Sequence, residues 1–167
     1  ASIWYTVFQV SLRKEWNRSM IRKITEADRE CAIELMEEFY HSPAVLHPVP
    51  KHFFSLTVDE VLSGSPYAEL YLLYSGQNED RPAGYAMTAK TFSNEAGGLV
   101  VWLEELYLRP DFRGHGLGSE FFAFIEDTYR GKAARLRLEV EEDNVAARRL
   151  YERLGYRPLP YLQMIKE

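Results

Sequence analysis

Gly114, Gly116 and Gly118 fall at alternate positions in "LRPDFRGHGLGSEFFAFIED", between an apolar run and a helical pattern. A strand that turns into a helix there has a restricted set of paths, because glycine readily adopts left-handed backbone and lets a ligand approach the main chain. A helix start also presents unpaired N–H groups at the positive end of its dipole, and so draws anions. The run "LEELYL" thus delivers the chain to "RPDFRGHGLGS", whose N–H groups can converge on a phosphate ahead of a helix beginning near Gly116. A flexible surface turn is the plain alternative. Spacing excludes two other phosphate loops. No lysine follows any of the three glycines, as a nucleotide-hydrolase loop requires, and no third glycine completes Gly-x-Gly-x-x-Gly.

The 167 residues suffice for one domain that buries about two thirds of the surface of its unfolded chain. With 46% hydrophobic and 27% charged residues, the composition is that of an ordinary globular protein. Met20 followed by "IRKITEADRE" reads as a second beginning, so residues 1–19 are expected to be an extension, either a tag or an upstream segment, and 20–167 the domain. The alternating "WYTVFQVSL" could pair as an added strand, and the opening does not read as a secretion signal.

Ala32, Leu35, Met36 and Phe39 recur at three and four, predicting a surface helix over Glu26 to Tyr40. Three prolines in "HSPAVLHPVPKHFF" interrupt it before a second short helix, "SLTVDEVLSG", ended by Gly64. "YAELYLLYSG" and "RPAGYAMTAKTFS" flank the turn chemistry "QNED" and predict a hairpin. "GGLVVWLEELYL" is a third strand, followed by the helix "SEFFAFIEDTYR", the strand "ARLRLEV", the helix "NVAARRLYERL" and a closing strand "YRPLPYLQMIKE". This order predicts an α/β (α+β) layer arrangement with helices on a central sheet.

"RGHGLG", with Arg113, Gly116 and Gly118 in place and "LRPDF" leading in, resembles the Arg/Gln-x-x-Gly-x-Gly/Ala signature of the GNAT superfamily of N-acetyltransferases. "LEVEEDNVAARRLYERLGY", about 30 residues on, resembles that family's later motif, Asn-x-x-Ala and then a tyrosine before Leu-Gly-Tyr. The resemblance runs from Ile21 to the C-terminus. It implies a mixed, twisted sheet of about six to seven strands flanked by helices. It also implies acetyl-CoA as cosubstrate, with Arg113, Gly114, His115, Gly116, Leu117, Gly118 and Ser119 around its pyrophosphate. Leu106, Tyr107 and Leu108 would meet the pantetheine arm through their backbone, with N–H groups that polarise the thioester carbonyl. Asn144, Ala147 and Tyr151 share one helical face that would line the cosubstrate.

Amide formation from a thioester needs a free amine, a polarised carbonyl and a proton for the departing thiolate. An alkyl amine of pKa near 10 is mostly protonated at neutral pH, so a carboxylate at the reacting strand, acting directly or through water, can take its proton. Glu104 and Glu105 are the candidates, and strand alternation sends them to opposite faces. "WLEE" resembles "YLED" of spermidine/spermine acetyltransferases, which implies Glu104 as proton relay and Glu105 as contact for a substrate ammonium. Either could instead be a plain surface carboxylate. Tyr151 is implied as the acid that reprotonates the thiolate, against the alternative of an aromatic core residue.

The loop between the first two helices borders the acceptor site in this superfamily, which makes Tyr40, His41 and His47 candidate acceptor contacts. The spacing of His41, His47 and His52 matches no standard helical metal motif, and no metal is expected. Cys31 lies on the flank of the first helix's apolar stripe and reads as packing rather than nucleophile.

A single cysteine excludes an internal disulfide framework and fits a reducing cytoplasm. No apolar run reaches the roughly 18 to 20 residues of a membrane span. The formal charge of −5 argues against a nucleic-acid partner and suits a cationic substrate. The implied function is direct acetyl transfer, in a ternary complex, to a primary amine of a small molecule, with a polyamine or diamine as the specific expectation. Coenzyme binding without turnover, and acetylation of a protein N-terminus or lysine, are the alternatives. A homodimer is compatible with the terminal segments.

Overall fold

The structure is a computed structural model that describes residues 20–43, 45, 49–76 and 80–166. The chain divides into two compact units, one ending at Arg137 and one beginning at Leu138.

In the first unit, five strands form one sheet in the order β1-β2-β3-β4-β5. They are β1 (Met20–Lys23), β2 (Ala68–Tyr74), β3 (Gly84–Ser93), β4 (Gly98–Leu108) and β5 (Arg135–Leu138), the last of which ends on the first residue of the second unit. β1 to β4 pair antiparallel, and the expected hairpin is the β2–β3 pair. β5 runs in the direction of β4. Ala134 N–H donates to Leu99 O at 2.8 Å, and three residues further along each chain Arg137 lies over Trp102. The sheet is therefore mixed, as expected, but has five strands among the described residues rather than six or seven.

Helix α1 (Arg29–Tyr40) follows a short 3-10 turn over Glu26–Asp28 that the sequence pattern merged into it. Thr25 and Asp28 form a capping box, and the Arg22 guanidinium grips Asp28 with two bonds of 2.7 and 2.8 Å. Asp28 is held well below the usual carboxylate range by Arg22. Helix α2 (His52–Leu62) begins three residues before the expected start and gives way to Gly64 at φ +87. Both helices pack on one sheet face, where Leu35, Met36, Phe54, Val58, Leu70 and Leu72 form the core. Helix α3 (Leu117–Tyr129) buries Phe121, Phe122 and Ile125, and its Phe121 meets the Tyr71 ring edge-on.

Gly84 permits the close β3–β4 pairing, because a Cβ there would lie 1.9 Å from the Tyr107 carbonyl oxygen. Glu69 accepts from Lys23 at 2.6 Å, Lys90 at 2.8 Å, Tyr71 at 2.6 Å and Tyr129, tying β1, β2, β3 and α3 together.

In the second unit, helix α4 (Val145–Arg153) is capped by Asn144, whose Oδ1 accepts from Ala147 N–H at 3.2 Å. The expected closing strand is absent: Tyr156 to Lys166 form no strand. Pro158 and Pro160 lack N–H donors two residues apart, which leaves one edge of that segment unable to bond a neighbour. The strand proposed within residues 1–19 lies outside the described residues.

Candidate active site

The β3–β4 ladder is regular except at one point. Met87 faces Glu105 and Thr88 faces Leu103, so the register steps over Glu104, the extra residue of a bulge. The simple alternation expected for the two acids is thereby broken. Glu104 is exposed, whereas Glu105 is half-buried.

Glu105 shares a sheet face with Tyr85 and Tyr107, beneath the end of α1. Its Oε1 accepts from Tyr40 Oη and its Oε2 from Tyr85 Oη, both at 2.6 Å. Burial and the Glu105 carboxylate push both phenols far above the ordinary tyrosine range, so they remain donors. The charge of Glu104 adds a smaller push in the same direction on Tyr40.

The end of α1 is pinned by a second contact that sequence spacing does not reveal. Arg109, buried just after β4, donates from Nε at 2.9 Å and from Nη2 at 2.7 Å to the Glu38 carboxylate, and from Nη1 at 2.8 Å to the Pro82 carbonyl. Tyr107 Oη adds a bond of 3.3 Å to Glu38. Arg109 holds the Glu38 carboxyl below its usual range.

Beyond Arg109 the chain makes a short 3-10 turn over Pro110–Phe112 and enters the glycine loop. Arg113 Nε donates to Leu108 O at 2.8 Å, folding its side chain back along the end of β4. Gly114 and Gly116 take φ of +78 and +89, and Gly116 is the N-cap of α3. The first intrahelical bond is Glu120 N–H to Gly116 O, so the N–H groups of Leu117, Gly118 and Ser119 precede it at the helix end. A Cβ on Gly114 or Gly116 would meet nothing within 4 Å, and one on Gly118 only Leu106 Cδ2 at 3.8 Å. The loop is therefore an open, glycine-walled end of a helix, shaped for an anion to approach the backbone.

The remaining expected residues are placed as follows. Leu106 and Leu108 are half-buried, Tyr107 is buried, and His115 is exposed. His41 is exposed, with Nδ1 bonded to Glu37 O at 2.7 Å, and His47 lies outside the described residues. In the second unit, burial pushes the Tyr151 phenol up, and its ring meets Tyr156 edge-on at 6.2 Å. Burial also pushes the Cys31 thiol up, away from nucleophilic use. Among the described residues no cluster of three His, Cys, Asp or Glu is placed to hold a metal ion.

Residues 33–156, which include both the bulge and the glycine loop, match the model of the acetyltransferase (GNAT) family. The chain belongs to the GNAT family. A thialysine N-epsilon-acetyltransferase from Bos taurus is 32% identical over 77 residues, which is 46% of this chain and 45% of that protein. The match therefore spans less than half of the length of that relative. A crystal structure of a possible acetyltransferase from Clostridium difficile 630 superposes with a TM-score of 0.75 at 18% identity, covering 89% of this chain and 97% of that one. An aminoglycoside N-acetyltransferase solved with CoA gives a TM-score of 0.71 at 14% identity over 90% of this chain and 95% of that one. Both likenesses are of fold. No helix among the described residues of this GNAT chain is long and apolar enough to cross a membrane.

Tyr85, Glu38 and Arg109 are the GNAT chain's site neighbours that sequence reasoning missed. The doublet Glu104-Glu105 inside an apolar run held one usable signal. The face pattern passes from even positions, Val100 and Trp102, to odd ones, Glu105 and Tyr107, and that change of phase is the bulge.

Proposed function

We propose that this chain is an acetyl-CoA-dependent N-acetyltransferase that carries acetyl directly to a primary amine of a small molecule, with cosubstrate and amine held together in a ternary complex. The observation that carries this reading is the bulge in β4. It sets Glu104 outside the ladder beside a Glu105 held by two phenols, on the strand that leads into the glycine-walled start of α3.

Acetyl-CoA supplies an acyl group activated as a thioester. Leu117, Gly118 and Ser119 offer N–H groups to its pyrophosphate, with Arg113, Gly114, His115 and Gly116 completing the loop. Backbone N–H groups near Leu106 and Leu108 polarise the reacting carbonyl. Glu104, exposed and out of the ladder, takes the proton that an ammonium of pKa about 10 must lose, and Glu105 orients that ammonium. Tyr40 and Tyr85, kept protonated, hold Glu105 in place. Tyr151 returns a proton to the thiolate, Asn144 and Ala147 line the cosubstrate, and His41 and His47 border the acceptor. The relatives' printed acceptors, thialysine and aminoglycosides, bear amines, which supports an amine acceptor here. This reading takes 20–167 as the catalytic domain, sets it in the cytoplasm, and allows a homodimer.

The test is thiol release from acetyl-CoA with a panel of diamines, polyamines, amino acids, aminoglycosides and N-terminal peptides, alongside calorimetry with acetyl-CoA. Binding with turnover of a small amine is the expected result. Binding with no turnover overturns the enzyme in favour of a coenzyme-binding module, and turnover of peptides alone moves the acceptor to proteins.

A further inference from the structure

The sheet face that carries Glu105 does not end at Glu105. Across β3 and β4 its paired positions run Tyr85 with Tyr107, Met87 with Glu105, then Ala89 with Trp102. Tyr85 and Tyr107 are buried under α1. The next two pairs are half-buried, and beyond them Thr91 is exposed while its partner Val100 is buried, so the face opens on its β3 side as it leaves α1. One position along from Glu105, at the spacing of two strand residues or about 7 Å, stands Trp102. Its Nε1–H donates to Thr91 Oγ1 at 3.1 Å, which fixes the indole plane. Arg137 of β5 lays its guanidinium over that ring at 4.0 Å from the centroid.

Trp102 thus holds the Arg137 guanidinium close above its ring. A guanidinium lying on an aromatic ring uses its face, and its N–H donors point sideways in a rigid fork that matches a carboxylate. Among the described residues no carboxylate lies within ion-pair distance of Arg137, whereas Arg135, two residues earlier on the same strand, pairs with Glu95 at 3.6 Å. Nor does a cation among the described residues form an ion pair with Glu105; its partners are the two phenols. An anionic group and a cationic group thus stand one strand step apart on one half-buried face. A second ammonium on the acceptor would be repelled by Arg137, and a carboxylate would be drawn to it.

We propose that the acceptor is a zwitterion, an amino-acid-like molecule whose carboxylate is gripped by Arg137 on its Trp102 platform while its primary amine meets Glu105 and Glu104. The inference rests on the acetyl-transfer reading and narrows it, replacing the diamine with an acceptor that bears both charges a few methylenes apart. The amine nitrogen forms its bond to the acyl carbon as the carbon–sulfur bond breaks. The proton lost by the amine passes to Glu104, the thiolate regains one, and the products are the N-acetyl amino acid and CoA thiol.

Initial rates at saturating acetyl-CoA with lysine, lysine amide and cadaverine test this, repeated with ornithine and putrescine so that chain length is controlled. Lysine or ornithine is expected to exceed its diamine, and lysine to exceed its amide, by about tenfold or more in kcat/KM, the scale of a charge-assisted contact. Arg137→Gln should bring the amino-acid to diamine ratio close to one, mainly by raising KM for the amino acid. Arg137→Lys, which keeps the charge but not the fork, should fall between them. A diamine that equals or exceeds its amino acid in the unaltered protein overturns the inference and leaves acetyl transfer standing, whether or not the variants fold. A ratio unmoved in a folded Arg137→Gln also overturns it. If no amine of the broader panel is turned over, acetyl transfer itself falls and the zwitterion with it.

Discussion

Tyr40, the last residue of α1, donates to Glu105 on β4 at 2.6 Å across 65 positions of sequence. The bond makes one acid of the adjacent pair a fixed part of the fold's edge while its neighbour Glu104 stays exposed. Tyr40→Phe removes a phenol donor from a half-buried carboxylate, a loss of roughly 1 to 2 kcal/mol. The acceptor KM should rise several-fold while the KM for acetyl-CoA stays level. Equal changes in both would assign Tyr40 a purely structural role.

Glu69 sets an acid limit on stability. Burial pushes its carboxyl up, but Lys23, Lys90, Tyr129 and Tyr71 outweigh that and bring it down to about 2. A carboxyl whose folded value lies below its unfolded one stabilises the protein above the unfolded pKa, about 4.3, and loses that contribution as pH falls toward the folded value. The contribution at neutral pH is roughly 3 kcal/mol. Urea midpoints should therefore drop between about pH 4.5 and 2. Glu69→Gln should start lower and show a flatter acid limb.

Gly84→Ala should lower stability by about 3 kcal/mol or more, because its methyl would sit 1.9 Å from the Tyr107 backbone oxygen and the β3–β4 pair must separate to admit it. A thermal melt that shifts by less than a few degrees would show that the strands yield without loss.

Two glycines of the loop separate fold from ligand. At Gly116, φ is +89, and alanine there should destabilise by about 1 to 2 kcal/mol through the left-handed backbone alone. Gly118 has room for a Cβ, with only Leu106 Cδ2 at 3.8 Å. Gly118→Ala should melt like the parent yet, if the loop holds the pyrophosphate as proposed, bind acetyl-CoA about tenfold more weakly, since the added methyl narrows the approach to the backbone. Calorimetry showing undiminished binding would move the anion elsewhere.

Tyr151 is raised by burial and so carries its proton at neutral pH. Tyr151→Phe should reduce kcat by about a hundredfold or more, in line with loss of a general acid, with little change in KM for either substrate. Glu104→Gln should depress turnover chiefly at low pH, where free amine is scarce. A pH profile unchanged in shape would pass the base role to Glu105 or to water.

Much of the fold was readable because it is local. The stripe of α1, the β2–β3 hairpin and the helix start at Gly116 each follow from spacing within a dozen or so residues. The bulge did not, since an extra residue is defined only against β3. Glu38 with Arg109, 71 positions apart, and Tyr85 with Glu105, 20 apart, are brought together by topology, and no short motif encodes either. The closing strand failed for the opposite reason. Apolar residues in "YRPLPYLQMIKE" suggested it, and two prolines in the same stretch removed the donors it would need.

Because the register steps over Glu104, cutting it out would mend the ladder: Leu103 and Glu105 would follow each other on opposite faces, and every later side chain of β4 would keep its side. Architecture alone would favour the shorter strand. A one-residue deletion at 104 therefore separates the two demands: on the proposed reading the protein should fold yet lose most of its turnover, and full turnover in the shortened strand would take Glu104 out of the chemistry.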